Sequence, residues 1–150
     1  MVIEELTRNA SLKFLASTHL SRLACVQGSQ PYIVPIYFSY NNDYLYTFST
    51  VGQKIDWMRA NPLVCVQADE VVNSEHWTSV IVYGRFEELP DTPEWRTERS
   101  LAHGLLQSKA MWWEPGYVKT MLQGKERSLV PVFYRIHITE ITGHRATPDA

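Results

Sequence analysis

The sequence carries almost no charge bias. Its 14 Lys and Arg against 16 Asp and Glu leave a formal net charge of −2, which gives no electrostatic reason for a polyanion partner and sets nucleic acid aside. No apolar run approaches the roughly 20 residues that cross a bilayer. Met1–Leu6 has acids where a signal peptide has bases followed by an apolar stretch, so the expected location is the cytoplasm. Cysteine is scarce too: Cys25 and Cys65 each lie in an apolar strand-like run, where a reduced thiol serves as a small hydrophobe rather than a disulfide half or metal ligand. The five histidines are scattered, with no pair spaced to put two ligands on one helix face, which argues against zinc. There is no G-x-G-x-x-G fingerprint, no serine in a nucleophile elbow and no histidine beside either cysteine. Dinucleotide binding of the Rossmann type, hydrolysis and acyl transfer therefore lack support.

Aromatic residues, by contrast, are plentiful: five Trp, eight Tyr and five Phe in 150 residues. An aromatic core or dimer interface accounts for part of this, and a planar cofactor would account for more. The length fits one domain, 1–150, and a hydrophobic share of 45% fills its core.

Spacing of apolar residues predicts a helix over about 4–18, capped at Thr7 or Asn9. Strands follow at 21–27, 32–40 and 44–49, separated by Gly28-Ser29-Gln30 and Asn41-Asn42-Asp43, turns short enough to force antiparallel neighbours. A short helix over 51–60 stops at Asn61-Pro62. Strands at 63–68 and 77–89 come next, the second with a bulge or close approach at Gly84 and an end at Pro90. A helix over 93–108, an irregular or partly helical stretch over 111–128 and a strand over 131–143 complete the chain, with 146–150 expected to fray. Glu87, Glu88, Asp91 and Glu94, with Arg96 and Arg99, read as a solvated helix start with ion pairs at helical spacing. This order is not the strand–helix alternation of a parallel sheet. It predicts an α+β, mainly β, fold in which six antiparallel strands close into a barrel to remove their edges.

The stretch most informative about chemistry is Leu45-Tyr46-Thr47-Phe48-Ser49-Thr50-Val51-Gly52-Gln53-Lys54. A strand ends in hydroxyl residues, glycine permits tight passage, and a lysine sits just inside a helix whose first amides are unpaired. Hydroxyls, helix amides and an ammonium converging on one point make an anion site, with phosphate the natural occupant. The same residues also read as a capping box, Thr50 bonding the amide of Gln53 and Gln53 reaching back, with Lys54 solvated.

Taken with Ser21-Arg22-Leu23-Ala24-Cys25-Val26, Pro31-Tyr32-Ile33-Val34-Pro35-Ile36-Tyr37-Phe38, Arg59-Ala60-Asn61-Pro62 and Trp77-Thr78-Ser79-Val80-Ile81-Val82-Tyr83-Gly84-Arg85, this stretch resembles the flavin-binding split barrel of the pyridoxamine 5'-phosphate oxidase-like superfamily. Within it, the small proteins related to 5-nitroimidazole resistance are most similar, and the resemblance runs in order from about Leu12 to Gly143. It implies a six-stranded antiparallel split barrel with flanking helices, forming a homodimer with FMN sites at the interface. It also implies that Ser49, Thr50, Gln53 and Lys54 hold the FMN phosphate, and that Val34, Pro35, Ile36, Tyr37, Thr47 and Phe48 lie along the ring. Trp77 and Ser79 belong to the same site, and the second subunit contributes to each pocket, for which Trp112 and Trp113 are the local candidates.

One departure concerns Thr47, which falls where nitroimidazole resistance proteins carry a histidine. The implied activity is flavin-dependent oxidoreduction of a small molecule with a nicotinamide electron donor. The alternatives are a flavin carrier or redox sensor, and a split barrel that takes haem or a deazaflavin, His76 being a candidate axial ligand for haem. No side chain identifies itself as a general acid or base, so no catalytic residue is assigned.

Overall fold

A computed structural model describes residues 1–107, 120–122, 124–127 and 130–150. In chain order the elements are β1 (Val2–Glu5), α1 (Arg8–Ser17), β2 (Leu20–Gln27), β3 (Gln30–Tyr37), β4 (Ser39–Asn41), β5 (Tyr44–Thr50), α2 (Gln53–Ala60), β6 (Leu63–Asn73) and β7 (His76–Glu88). A 3-10 turn (Pro93–Trp95), α3 (Arg96–Gln107), β8 (Thr120–Leu122), β9 (Lys125–Arg127) and β10 (Pro131–Thr147) follow.

Local chemistry sets several boundaries. Thr7 caps α1, its hydroxyl accepting from the amide of Ala10 at 3.1 Å. The β4–β5 hairpin turns through Asn42 and Asp43, both at positive φ (46° and 69°), the backbone that a two-residue loop needs to match strand twist and that these two side chains tolerate.

The sheet runs β3-β2-β6-β7-β10-β5-β4, with β1 added to the far half of β10, and every pairing is antiparallel. Its two ends are the same stretch of chain: β3 and β4 are separated only by Phe38. The ladder is thus open between β3 and β5, while the chain itself carries across the gap. At the vertex of this opening the Thr47 hydroxyl donates to the Tyr37 carbonyl at 2.5 Å, with Thr47 fully buried. This is a split barrel: strands wrapped round a core, joined at one seam by covalent continuity instead of hydrogen bonds.

Alternation along β5 builds two apolar layers. Leu45 faces the barrel interior with Leu15, Leu23, Ile36, Phe38, Ile55, Met58, Val66, Val82 and Tyr134. Tyr46 and Phe48 face outward, where α3 covers them with Ala102 and Leu106, beside Tyr37, Leu89 and Phe133. α2 lies across the open end and drives Ile55 and Met58 into the barrel. No helix among the described residues is long and apolar enough to cross a membrane.

The fold class agrees with expectation, but several elements differ. The main sheet has eight strands rather than six. Residues 2–5, the last two of them expected to begin the helix, pair with β10, and 30–41 breaks into two strands at Phe38 so that it serves both ends of the sheet. β6 continues past Asp69 and Glu70 to Asn73 as a long ribbon with β7. The final strand reaches Thr147 because β1 pairs with the segment expected to fray. The described part of 111–128 contains an antiparallel pair, β8 with β9, instead of irregular or helical chain. α2 begins at Gln53, not Val51, since Thr50 is still held in β5 opposite Pro131.

Gly84 makes the close approach foreseen for it, and the register shift lies opposite, in β10 between Ile138 and Glu140. A Cβ at Gly84 would stand 2.5 Å from the His137 carbonyl oxygen and 2.6 Å from Ile136 Cγ2. Gly84→Ala should therefore destabilise the protein by about 1–3 kcal/mol or more through strand displacement. Chemical denaturation at equilibrium would read this as a lower midpoint with an unchanged slope.

Candidate functional site

The open end of the barrel gathers the residues of the proposed anion site. β5 delivers Ser49, which is buried on the barrel face, and Thr50, which is half-buried. The chain then turns through Val51 and Gly52 into α2. The helix cap is Gly52, which has no side chain to bond the first amides, and no side-chain cap is made. The capping box expected from Thr50 and Gln53 is therefore absent: the helix starts too late for Thr50 to reach it. No cap side chain therefore bonds the amides at the start of α2, where a helix carries partial positive charge.

Gln53 is exposed and Lys54 half-buried. Lys54 leans toward β2, where its positive charge partly offsets the effect of burial on the Cys25 thiol; burial prevails and pushes that thiol above its ordinary range. Cys65 is pushed the same way by burial alone. α2 is held against the barrel by Trp57, whose ring packs on Tyr32 at 5.4 Å, and by Arg59, which pairs with Glu88 at 2.6 Å.

The other residues implied by the resemblance fall on three surfaces. Val34 and Ile36 pack into the barrel core, as does the side chain of Thr47, whose hydroxyl is engaged at the vertex. The interior at Thr47 is closed, with no exposed surface. Tyr37 and Phe48 lie outside the barrel, buried in the layer under α3. Pro35, Trp77 and Ser79 occupy the outer face of the sheet, away from the start of α2. There Pro35 neighbours Arg22 on β2, and Arg22 neighbours Gln67 on β6. Gln67 donates to Ser79 at 3.1 Å and to Asp69 at 2.9 Å, while Arg22 approaches Asp69 at 3.5 Å. One chain thus brings together Ser49, Thr50, Gln53 and Lys54, and holds Pro35 and Ser79 on a separate polar belt. Trp112 and Trp113 lie outside the described residues.

That belt crosses an otherwise apolar surface. Ile33, Leu63, Ile81 and Tyr83 are exposed by 65%, 57%, 37% and 44%, and beside them a cleft of about 290 Å³ is lined by Ala24, Val26, Pro31, Leu63, Cys65 and Tyr83. An exposed apolar group of this kind is what a docking surface presents. Sequence inspection missed this face because single exposed apolar residues in alternating strands look ordinary. It also misjudged the acidic cluster. Glu88 pairs with Arg59 and Glu87 with Arg135, both across the fold, and Arg99 donates to the Leu89 carbonyl at 2.8 Å, so the helical-spacing pairs are not formed. Arg135 loses solvation by burial, but Glu87 and the Tyr46 hydroxyl more than restore its charge, and its guanidinium stacks 3.9 Å over Tyr44. Among the described residues no cluster of His, Cys, Asp and Glu could hold a metal.

An antiparallel sheet wrapped round one core, with its seam joined by the chain itself, defines the class of split-barrel proteins. The chain belongs to the pyridoxamine 5'-phosphate oxidase family, whose pattern matches residues 7–145. An uncharacterised protein of Rhizobium meliloti is 41% identical over 146 residues, 97% of each chain. A crystal structure of a FAD-binding protein from Mesorhizobium loti superposes with a TM-score of 0.81 at 38% identity over 99% of both chains. A Bacteroides thetaiotaomicron protein described in connection with 5-nitroimidazole antibiotic resistance shares the fold at a TM-score of 0.66 and 18% identity, over 97% of this chain and 89% of that one.

The raised thiols give a pH dependence whose sign is fixed. In the unfolded chain a thiol loses its proton near pH 8.5, whereas in the folded protein burial holds it on. Stability is therefore full below about pH 8.5 and declines as pH rises through the thiol range, because the unfolded state releases protons first. Denaturation midpoints of Cys25→Ala measured from pH 7.5 to 9.5 should fall less steeply than those of the unaltered protein, even though the variant starts lower.

Proposed function

We propose that the protein binds a flavin nucleotide by its phosphate at the start of α2 and works as a flavin-dependent oxidoreductase on a small molecule. The observation that carries this reading is the uncapped N-terminus of α2, set beside the Ser49 and Thr50 hydroxyls and Lys54. Such an arrangement supplies directed amides, neutral donors and one ammonium, and it fits a phosphate monoester. FMN is the smallest flavin that satisfies it.

When bound, the flavin supplies reversible acceptance of electrons from a nicotinamide donor and their delivery to an acceptor. The task of this chain's residues is to hold and screen. The α2 amides and Lys54 fix the phosphate, while Thr47 locks the vertex so that β3 and β5 stay a constant distance apart. The apolar flank excludes water once it is covered. Membership of the family, and the FAD-binding description of the Mesorhizobium loti relative, support flavin as the ligand.

The covering partner in this proposal is a second copy of the chain, docked on the Ile33–Leu63–Ile81–Tyr83 face, with the polar belt of Arg22, Gln67, Asp69 and Ser79 buried in the contact. In a homodimer that belt and Trp77 approach the phosphate site of the other copy, which would reunite residues that one chain holds apart. Light scattering should report a dimer for the protein and a monomer for the double variant Leu63→Lys, Tyr83→Glu. Both positions are exposed, so folding should be retained.

The cofactor reading is tested by titrating FMN while following quenching of its fluorescence. Ser49→Ala with Lys54→Ala should weaken binding by about 1.5–3 kcal/mol for each charge-assisted bond lost, with the far-ultraviolet spectrum unchanged. Equal affinity in the variant would move the phosphate elsewhere, and flavin binding without oxidation of a nicotinamide in the presence of acceptors would make the protein a carrier.

A further inference from the structure

A second pocket, of about 250 Å³, lies between α3 and β10, at the small end of the range for ligand sites. Arg96, Arg99, Ser100 and His103 line it, together with Asp91 and Phe133. The four helical residues stand at i, i+3, i+4 and i+7 of α3, the spacing that gathers side chains on one face. Arg99 is pre-set: its guanidinium lies 4.7 Å over the Phe133 ring and donates to the Leu89 carbonyl at 2.8 Å, which fixes the plane of the N–H groups that remain. Arg96 is exposed and makes no ion pair among the described residues. Asp91 shares the cavity, yet among the described residues it pairs with neither guanidinium.

Opposite charges held apart across a cavity keep their hydrogen-bonding capacity for a third party. A guanidinium fork takes a carboxylate through two parallel bonds, and the Ser100 hydroxyl on the same helix face is a further donor. Two guanidiniums against one carboxylate leave a single excess positive charge, counting the imidazole as uncharged. That excess balances a monoanion, whereas a phosphate dianion would face the Asp91 carboxylate with charge left over. Asp91 only accepts, so the part of the ligand beside it must carry an O–H or N–H. Phe133 and the His103 ring, with centroids 6.0 Å apart, supply apolar contacts for an aromatic body.

We propose that the pocket between α3 and β10 binds a small aromatic carboxylate that also carries a hydroxyl or amino group. The carboxylate sits on Arg96 and Arg99, the second group donates to Asp91, and the ring rests against Phe133 and His103. The pocket shares no residue with the cradle at the start of α2, and the inference stands or falls without the flavin reading.

The test is calorimetric titration of the full chain with benzoate, with 2-, 3- and 4-hydroxybenzoate, and with inorganic phosphate. The tightest of the hydroxybenzoates should exceed benzoate by about tenfold or more, the effect of one charge-assisted hydrogen bond, and phosphate should bind more weakly than either. Arg96→Ala, at an exposed position that leaves the Arg99–Phe133 stack in place, should weaken benzoate and hydroxybenzoate alike by about tenfold. Asp91→Ala, also exposed, should instead abolish the difference between the two acids. Saturating FMN should leave these affinities unchanged. Four results overturn the proposal: no binding of any benzoate, phosphate binding more tightly than the acids, full affinity in Arg96→Ala, or displacement of the acid by FMN, which would put it in the flavin's site.

Discussion

The hydrogen bond from the Thr47 hydroxyl to the Tyr37 carbonyl stands at the point on which the architecture turns. On one side of it β4 and β5 are paired; on the other β3 and β5 part company. A buried hydroxyl that closes a buried carbonyl is worth only about 1 kcal/mol in net stability. Its structural effect is larger than its energy, because it fixes where the ladder ends. The open seam that distinguishes this fold from a closed barrel follows from that termination.

Geometry and electrostatics agree at the seam. A helix that began with a serine or aspartate would satisfy its own amides and offer little to a ligand. Here the cap is Gly52, and the nearest hydroxyl upstream, on Thr50, is retained by the sheet. The sheet in effect keeps a capping residue away from its helix.

Much of this was legible beforehand, for reasons visible in particular residues. Alternation along 44–49 and 77–89 marked the strands, Asn41-Asn42-Asp43 marked the hairpin, Pro62 marked the end of α2, and Gly84 marked a close contact. What escaped depends on partners distant in sequence. Val2–Glu5 is a strand only because the end of β10 is present to pair with it, and its own composition is compatible with a helix turn. The break at Phe38 has no turn residue, since it arises from the demands of both sheet ends on one segment. The candidate residues at 49–54 were adjacent in sequence and so were easily grouped. Pro35, Trp77 and Ser79 belong to another surface, and no local pattern announces which face of a strand will be covered.

β10 has a consequence for how the molecule is assembled. It pairs with three other strands, flanked by β5 and β7 along its first half and by β7 and β1 along its second, yet it is synthesised after all of them. Until it arrives, β5 and β7 each present an open edge and the barrel lacks Tyr134, Ile136 and Ile138 from its interior. A nascent chain ending before residue 131 would expose two unsatisfied strand edges together with the apolar lining of the barrel, a combination that favours association with other chains. Closure in this topology is a late, long-range event, in which the final segment must find three partners spread over residues 2–88, the kind of non-local pairing that slows folding.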